Sequence, residues 1–456
     1  MPHHVPGTAG FRSFNLAMAS IGLAAFGMLY ATQPLLPRLS EQFSIDATSA
    51  SLSLSVTTGA LALLVVPATW LGHRFGRRRA MRFGLVASVV LMFACAVAPT
   101  FGTLLVLRAA SGAALAAVVG VAMGHVGAEV HPSGLGAAMG LYVAGNSVGG
   151  VTGRLVSSLV VDVAGWRWAL AAIGVLGLIA SALFWRLLPP SVVAPGSAAA
   201  GSPAPRAGHA WRQILGDPAL IALLALPFLL MGGFVATYNF LTYRLAAAPF
   251  GVSEAVIGAI FLTYLAGTVA SAMAGRAADR FGRPPVLLTS IVVMGAGLLL
   301  TLPPWLPTTA LGLLLFTAGF FGAHSTASGW APVIGAARPA TASALYVFAY
   351  YAGSSVFGAA VGIGWHAGGW PLTVLLIEAL VTLAAAAALY ATFATRSSSA
   401  PARAVASERA AASERAAASA RAAALKGADG GAPAPASASA PRRRGRQRAG
   451  TRAVLR

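Results

Sequence analysis

Hydrophobic residues in this chain form long runs separated by short polar turns, and twelve of the runs are about twenty residues long or longer. A helix of about twenty apolar residues crosses a hydrocarbon core about 30 Å thick. The pattern therefore predicts twelve membrane-spanning helices. To within about three or four residues at either end, the expected spans are 14–36, 49–71, 80–99, 102–127, 134–160, 167–188, 218–243, 253–274, 284–303, 308–332, 341–365 and 371–394.

The spans fall into two groups of six, within residues 14–188 and 214–394, preceded by a short N-terminal segment, 1–13. Residues 189–213 are rich in Pro, Ala, Gly and Ser, which predicts a linker. Residues 395–456 form a basic low-complexity tail. Its composition predicts a disordered or transiently helical segment that charge holds near anionic lipid.

A short basic turn occurs twice, once in each group of spans. Gly72–Arg79 has the sequence GHRFGRRR, and Gly275–Arg283 has the sequence GRAADRFGR. Glycine lets the chain reverse sharply, and the cost of entering hydrocarbon keeps the arginines at the headgroup side. The candidate residues of these turns, with an acid near the first, are His73, Arg74, Gly76, Arg77, Arg78, Glu129, Gly275, Asp279, Arg280, Gly282 and Arg283.

The two groups of spans align with each other at an offset of 204 to 206 residues. This offset pairs Arg38 with Arg244, and it pairs Gly149 with Gly353. It also superimposes the two basic turns and aligns Gly165-Trp166 with Gly369-Trp370. A parallel repeat predicts two six-helix bundles related by a pseudo-twofold axis along the membrane normal.

The turn pattern Gly-x-x-x-Asp-Arg-Phe-Gly-Arg at 275–283 resembles the loop signature of the major facilitator superfamily (MFS). That resemblance implies the MFS fold over residues 14–394 and transport by alternating access, with the basic turns holding the outward-facing state. It also implies that Glu129 pairs with the arginines of the first turn. The first copy departs from the pattern at Thr69 and His73. His73 is interpreted either as part of a pH-sensitive contact or as a tolerated surface substitution.

Composition and charge exclude other classes of protein. The chain is 57% hydrophobic and only 9% charged, unlike a soluble domain. Of its net charge of +20, thirteen Arg/Lys against three acids from Arg396 onward supply +10, and this tail has no aromatic residue for stacking on nucleic acid. We therefore expect no specific nucleic-acid partner. Arginines concentrate in alternate turns, so the positive-inside rule predicts cytoplasmic termini in a bacterial inner membrane.

The sequence lacks the clusters that an enzyme or a metalloprotein requires. Cys95 is the only cysteine, and neither a Ser-His-Asp arrangement nor a His-x-x-x-His pair is evident. We expect no cofactor and no enzymatic activity. We also expect a monomer whose partners are a small-molecule substrate, membrane lipid and a coupling ion, for which H⁺ is the hypothesis.

Two motifs lie inside the fourth and fifth spans. Arg108 is spaced Arg-x-x-x-Gly from Gly112, which resembles the MFS motif whose arginine faces the central cavity. An arginine inside the membrane is a functional candidate, because burying its charge there is costly. Near a helix end, however, its long side chain can also extend to the membrane–water interface. The fifth span resembles the Gly-Pro-x-x-Gly-Gly motif of MFS exporters, or its Gly-Asn variant in inner-membrane transporters of the YnfM type. Its residues are Gly145, Asn146, Gly149, Gly150 and Gly153.

We expect these small residues to let the fifth helix approach a helix of the other bundle closely. Asn146 replaces the proline of the exporter motif, which removes an expected kink. The alternative is that the glycines serve packing alone.

Proton coupling requires a titratable group inside the membrane. Glu378 is the acid lying well inside a predicted span, and His125 and His324 are further candidates, together with Arg108. Each also has a packing interpretation, as a hydrogen-bonded residue within one bundle. The expected substrate cavity is aromatic and nearly neutral, and its candidates are Tyr30, Gln33, Asn146, Tyr238, Asn239, Tyr264, His324, Tyr346, Tyr350 and Tyr351.

These observations predict a secondary transporter that exports a small hydrophobic or sugar-like compound in exchange for protons. Import or uniport of a small neutral metabolite is the alternative within the class. A membrane-anchored protein whose basic tail binds anionic lipid or nucleic acid is the alternative from another class.

Overall fold

The computed structural model describes residues 4–191, 216–335 and 339–428, with His73 and the stretches 339–340 and 396–428 described by their backbone alone. Most of the predicted linker, 189–213, and the end of the tail lie outside the described residues. The chain divides into two compact units, Met1–Thr395 and Arg396–Arg456.

Twelve long helices follow one another in the described residues, and each overlaps one of the predicted spans. They are α1 (Ala9–Leu29), α2 (Ala47–Phe75), α3 (Arg77–Ala96), α4 (Phe101–Glu129), α5 (Leu135–Ala164), α6 (Trp166–Leu187), α7 (Pro218–Ala246), α8 (Thr263–Phe281), α9 (Arg283–Leu299), α10 (Leu306–Ile334), α11 (Pro339–Ala360) and α12 (Gly362–Ala428). The last helix is interrupted at Gly368 and Gly369, and only its part up to Thr395 belongs to the first unit.

Ten helical stretches of the described residues are long and apolar enough to cross a membrane. Two predicted spans are outside this set: α9, a shorter apolar helix, and α11. Apolar side chains such as Leu63 and Phe83 are exposed around the helices, as in a protein whose outer surface contacts lipid. The chain is an all-α membrane protein.

The helices pack in the same order in each half of the first unit. In the first bundle α1 packs on α5, α2 on α4, and α3 on α4. In the second bundle α7 packs on α11, α8 on α10, and α9 on α10. Each pair in the second bundle is the six-helix repeat of a pair in the first, so the packing has the symmetry that the sequence offset predicts.

The two basic turns have the same backbone. Gly76 ends α2 with a φ of 98°, and Gly282 ends α8 with a φ of 85°. Residues with a β-carbon avoid this left-handed region, so glycine is needed where the helix direction changes within a single residue. Arg77 begins α3 directly after the first of these glycines, and Arg283 begins α9 directly after the second.

Two of the helices are broken where they meet the other bundle. After α1 the chain turns at Tyr30 and continues as a 3₁₀ segment, Gln33–Leu35, and a short helix, Leu36–Phe43. Before α8 it forms a short helix, Glu254–Ala259, and a 3₁₀ segment, Ile260–Leu262. Their repeat partners α7 and α2 run without such a break. Irregular backbone at membrane depth is tolerated where it is buried in protein or lines a cavity.

The described contacts between the bundles lie on the side of the α1–α2 connection. Ser355 of α11 donates to the carbonyl oxygen of Ser55 of α2 at 2.8 Å. Gly258 lies against Ser158 of α5, and Nε2 of His366 lies 3.4 Å from Oδ1 of Asp46. The basic turns are at the opposite ends of α2 and α8, so the two bundles are joined on the side away from these turns.

Candidate functional site

Arg154 lies in the middle of α5, one helical turn from the contact between Ser158 and Gly258, and its side chain is 1% exposed. Its Nε donates to Oε1 of Gln33 at 2.7 Å, and its Nη1 donates to the carbonyl oxygen of Gly150 at 2.8 Å. Among the described residues, Nη2 has no hydrogen-bond acceptor and no carboxylate is within 4.0 Å. Arg154 is therefore a buried cation without a counter-charge.

A relay of amides connects Arg154 to the second bundle. Because Oε1 of Gln33 accepts from Arg154, its Nε2 is left to donate to Oδ1 of Asn239 on α7 at 2.9 Å. Asn239 in turn donates to the carbonyl oxygen of Gly358 on α11 at 2.9 Å. The relay runs from α5 through the 3₁₀ segment Gln33–Leu35 to α7 and ends on a peptide group of α11. It orients three polar side chains at the bundle interface without supplying any negative charge.

Aromatic rings surround the guanidinium from both bundles. The Cζ atom of Arg154 is 4.1 Å from the ring centre of Tyr30, 4.7 Å from that of Tyr264 and 5.1 Å from that of Phe261. Tyr30 also interacts with Tyr350 on α11. Tyr30 and Phe261 come from the two breaks after α1 and before α8, so the irregular backbone places these rings around Arg154.

Arg108, the intramembrane arginine singled out by its motif, has a different environment. Its Nε donates to the carbonyl oxygen of Ser53 at 3.2 Å, and its Nη atoms donate to those of Met28 at 3.0 Å and Leu29 at 2.6 Å. The last two carbonyls belong to the end of α1, where the helix leaves acceptors unpaired. Arg108 thus supports the break after α1, and each of its three nitrogens has an acceptor.

The glycines of α5 pack closely, but not on the helix that the sequence suggested. A Cβ atom added at Gly153 would lie 2.6 Å from the Cα atom of Gly27, and Gly145 and Gly149 likewise contact the backbone of Ala19 and Leu23. All three partners are on α1 of the same bundle. The expectation that these glycines pack against the other bundle is wrong, because the small face of α5 is covered by α1.

Asn146 lies on the same face, with its Oδ1 buried against Gly22 and without a hydrogen-bond partner. The second bundle repeats the arrangement, since Gly353 of α11 contacts the backbone of Phe228 on α7.

The candidates for proton coupling lie in three separate places. Glu378 of α12 lies against Gly295 of α9, and its Oε1 is buried without a hydrogen-bond partner. His125 lies 3.9 Å from Glu129 at the end of α4. His324 accepts or donates a hydrogen bond with the hydroxyl of Tyr346 at 3.1 Å and lies 4.9 Å from the ring of Tyr350. None of the three contacts Arg154 in the described part of the chain.

The basic turns differ in their contacts. Arg78 donates to the carbonyl oxygen of Leu188 at 2.8 Å, and Glu129 interacts electrostatically with Arg77 and Arg78. Arg74 lies over the rings of Trp70 and Phe75 at 5.6 and 5.8 Å.

In the second turn Asp279 and Arg280 are exposed, and the described residues provide no ion pair for Asp279. Gly275, Gly282 and Arg283 lie at the same end of α8. The His73 side chain is outside the described part of the structure.

Of the predicted cavity residues, the structure brings Tyr30, Gln33, Asn239, Tyr264 and Tyr350 together at the bundle interface. Tyr238 is fully buried in the second bundle, where its hydroxyl bonds to Thr263 at 2.6 Å and Thr317 at 2.7 Å. Tyr346 and Tyr351 lie next to His324 and Tyr350. Sequence reasoning missed Arg154. The signal was present, because an arginine inside a predicted span is a functional candidate by the same rule that selected Arg108.

Comparison with known proteins agrees with this architecture. The family model of the Major Facilitator Superfamily matches residues 18–246. The chain is 40% identical over 379 residues to the uncharacterized MFS-type transporter YybF of Bacillus subtilis, covering 83% of this chain and 93% of YybF. It is 40% identical over 365 residues to the inner membrane transport protein YnfM of Escherichia coli, covering 80% of this chain and 87% of YnfM.

Solved structures show the same fold at low identity. The nucleoside transporter NupG (D323A mutant) aligns with a TM-score of 0.69 and 14% identity, covering 83% of this chain and 99% of NupG. A bacterial homologue of the human lysosomal transporter Spinster, in an inward-facing and occupied conformation, aligns with a TM-score of 0.67 and 16% identity, covering 86% and 98%. With the family match, the two close relatives and the repeated six-helix bundles, the chain is a multi-pass membrane transporter that belongs to the major facilitator superfamily.

Proposed function

We propose that the protein is a secondary transporter that moves a small molecule by alternating access, with its two bundles rocking about the site at Arg154. The observation that carries this proposal is that the described contacts between the bundles lie on one side. A carrier in one of its two facing states has this arrangement. The second state would require the contacts of Ser355, Ser158 and His366 to separate.

The positive-inside rule indicates which side of the membrane the joined side of the bundles faces. If the basic turns are cytoplasmic, the joined side is the outer one, and the structure is inward-facing. The resemblance in fold to the inward-facing Spinster homologue supports this orientation. Both termini would then be cytoplasmic, and the membrane would be a bacterial inner membrane, like the one in the name of YnfM.

The finer proposal is proton-coupled export of a hydrophobic or sugar-like compound. It is supported by the aromatic rings at the interface and by Glu378, a half-buried acid whose Oε1 atom is buried without a hydrogen-bond partner among the described residues. Import or uniport is the second candidate, which the position of Glu378 between α9 and α12 favours, because that position is inside one bundle.

A disulfide across the joined side tests alternating access. A Cβ atom added at Gly59 would lie 3.4 Å from the Cβ atom of Ser355. Disulfides need Cβ atoms about 3.5–4.5 Å apart, so the double variant Gly59→Cys/Ser355→Cys, in a Cys95→Ala background, should oxidise readily. The assay is the discharge of a proton gradient in everted vesicles on adding a panel of drugs, sugars and aromatic carboxylic acids, with uptake of the same compounds measured in parallel.

We expect a transported compound to discharge the gradient in the reduced double variant and not in the oxidised one, with activity restored by dithiothreitol. The single variants Gly59→Cys and Ser355→Cys control for oxidation itself. Transport by the fully cross-linked protein would refute alternating access. Transport without proton movement, with Glu378→Gln behaving as the wild type, would refute proton coupling and favour uniport.

A further inference from the structure

We infer that Arg154 binds the carboxylate of the transported substrate, and that this substrate is an organic monoanion with an aromatic or apolar body. The inference rests on the proposed function, whose site it deepens. It changes the expectation of a nearly neutral cavity, because that expectation overlooked Arg154.

The first argument is the missing counter-charge. Removing a cation from water is unfavourable unless it is paired, and arginine is always charged. Arg154 is 1% exposed, yet its described partners are an amide, a peptide carbonyl and three aromatic rings. Such a site becomes complete when an anion binds. Arg108 also has no carboxylate partner among the described residues, but each of its three nitrogens is bound by a carbonyl oxygen of its own bundle, so the two arginines differ in their free donors.

The second argument is the free donor. Nε and Nη1 of Arg154 are held by Gln33 and Gly150, which fixes the plane of the guanidinium and leaves Nη2 without an acceptor. A carboxylate accepts charge-assisted hydrogen bonds from such an edge. One guanidinium neutralises one negative charge, and Arg108, the other buried arginine nearby, has no free nitrogen. The site therefore suits a monoanion.

The third argument is the position. Arg154 lies at the bundle interface, one helical turn from the contact of Ser158 with Gly258. Tyr30 and Phe261 of the two breaks and Tyr264 at the start of α8 lie around it. The rings come from both bundles. A substrate whose carboxylate is bound by Arg154 and whose apolar body contacts these rings would touch both bundles, as a carrier requires.

The test measures binding by the purified full-length protein in detergent, without any transport. The probes are benzoate, phenylacetate and indole-3-acetate, each paired with its uncharged amide at the same ionic strength. A ligand that binds only the folded protein raises the midpoint of thermal unfolding. We expect at least one acid to raise the midpoint of the wild type by about 2 °C or more at up to about 10 mM, with the matched amide causing no such rise.

The variants assign the effect to Arg154. Arg154→Gln should remove the difference between acid and amide, whereas Arg276→Gln, which removes an exposed arginine that bonds to its own helix, should retain it. If Arg154→Gln does not fold, Arg154→Lys replaces it. The acid-selective rise of this variant should need an acid concentration at least about tenfold higher, since an ammonium group lacks the planar edge of a guanidinium.

Three results would overturn the inference: no acid-selective rise in the wild type, equal rises for acids and amides, or an unchanged acid-selective rise in Arg154→Gln. Because this assay needs no transport, its failure leaves alternating access standing. Conversely, transport through the cross-linked protein would remove the proposed function while leaving the anion site intact.

Discussion

The contact of α5 with α1 gives the sharpest test of the packing that positions the site. We predict that Gly153→Ala destabilises the protein, whereas Gly140→Ala on the same helix does not. A Cβ atom at Gly153 would lie 2.6 Å from the Cα atom of Gly27, and a Cβ atom at Gly140 would have nothing within 4 Å. Both substitutions make the same chemical change in the same helix, so their difference reports the contact alone.

The magnitude follows from two opposing effects. Replacing glycine by alanine inside a helix stabilises it by about 0.5–1 kcal/mol, and this gain applies to both variants. Carbon atoms in contact are normally about 3.5–4.0 Å apart, so at Gly153 the helices must separate by about 1 Å. Overpacking of this kind costs about 1–3 kcal/mol. Gly153→Ala should therefore be less stable than Gly140→Ala by about that amount.

The chain provides its own probe of unfolding. Cys95 is the only cysteine and is 0% exposed, so a thiol-reactive dye labels the protein when it unfolds. An unfolding entropy of about 2.1 cal/mol/K per residue means that a unit the size of Met1–Thr395 shifts by about 1 °C for each kcal/mol, so the two midpoints should differ by about 1–4 °C. Separation of α1 from α5 should also weaken the 2.7 Å hydrogen bond of Arg154 to Gln33. The rise in unfolding midpoint that acids cause should then be smaller in Gly153→Ala. Equal midpoints for the two variants would mean that α1 and α5 do not touch as described.

Three further predictions concern other parts of the chain. Asp46 accepts the backbone N–H of Ser49 at 2.6 Å, and this bond, with a smaller effect of His366, lowers the pKa of Asp46. The contribution of Asp46 to stability is therefore present above the ordinary pKa of Asp and is lost as the pH falls through the lowered pKa. Asp46→Ala should reduce the free energy of unfolding by about 1 kcal/mol at pH 7, as for a helix cap, and so lower the midpoint of thermal unfolding, but it should not change the midpoint in strong acid. Arg38 lies 3.3 Å from Glu254 across the bundles. The Arg38 side chain is 45% exposed, so Glu254→Gln should slow oxidation of the Gly59→Cys/Ser355→Cys pair only about two- to fivefold. No change in the oxidation rate would show that this ion pair does not hold the joined side. Deleting residues 397–456 should leave the midpoint unchanged, because Met1–Thr395 is a compact unit, while reducing sedimentation with anionic vesicles; a lower midpoint would show that the tail supports the fold.

The sequence was sufficient for the architecture because hydrophobic length and repeat spacing determine it. The offset that pairs Gly76 with Gly282 reappears as two glycines with positive φ, and twelve helices overlap the predicted spans. Hydropathy could not reveal the breaks at Gln33–Leu35 and Ile260–Leu262, because both segments remain apolar enough to continue a span. It also could not tell which helix covers a small-residue face, so the partner of Gly149 and Gly153 was wrongly assigned to the other bundle.

The site shows a second limit of prediction from the sequence, which concerns the roles of buried arginines. Arg108 and Arg154 are both arginines inside predicted spans, and the sequence gives no reason to rank one above the other except a motif. The structure separates them by their acceptors: Arg108 binds carbonyl oxygens that the end of α1 leaves unpaired, whereas Arg154 retains a free donor. The two roles are linked, since the break that Arg108 supports is what brings Tyr30 and Gln33 to Arg154. Loss of Arg108 should therefore impair the anion site indirectly and at a cost in stability, whereas loss of Arg154 should impair it directly.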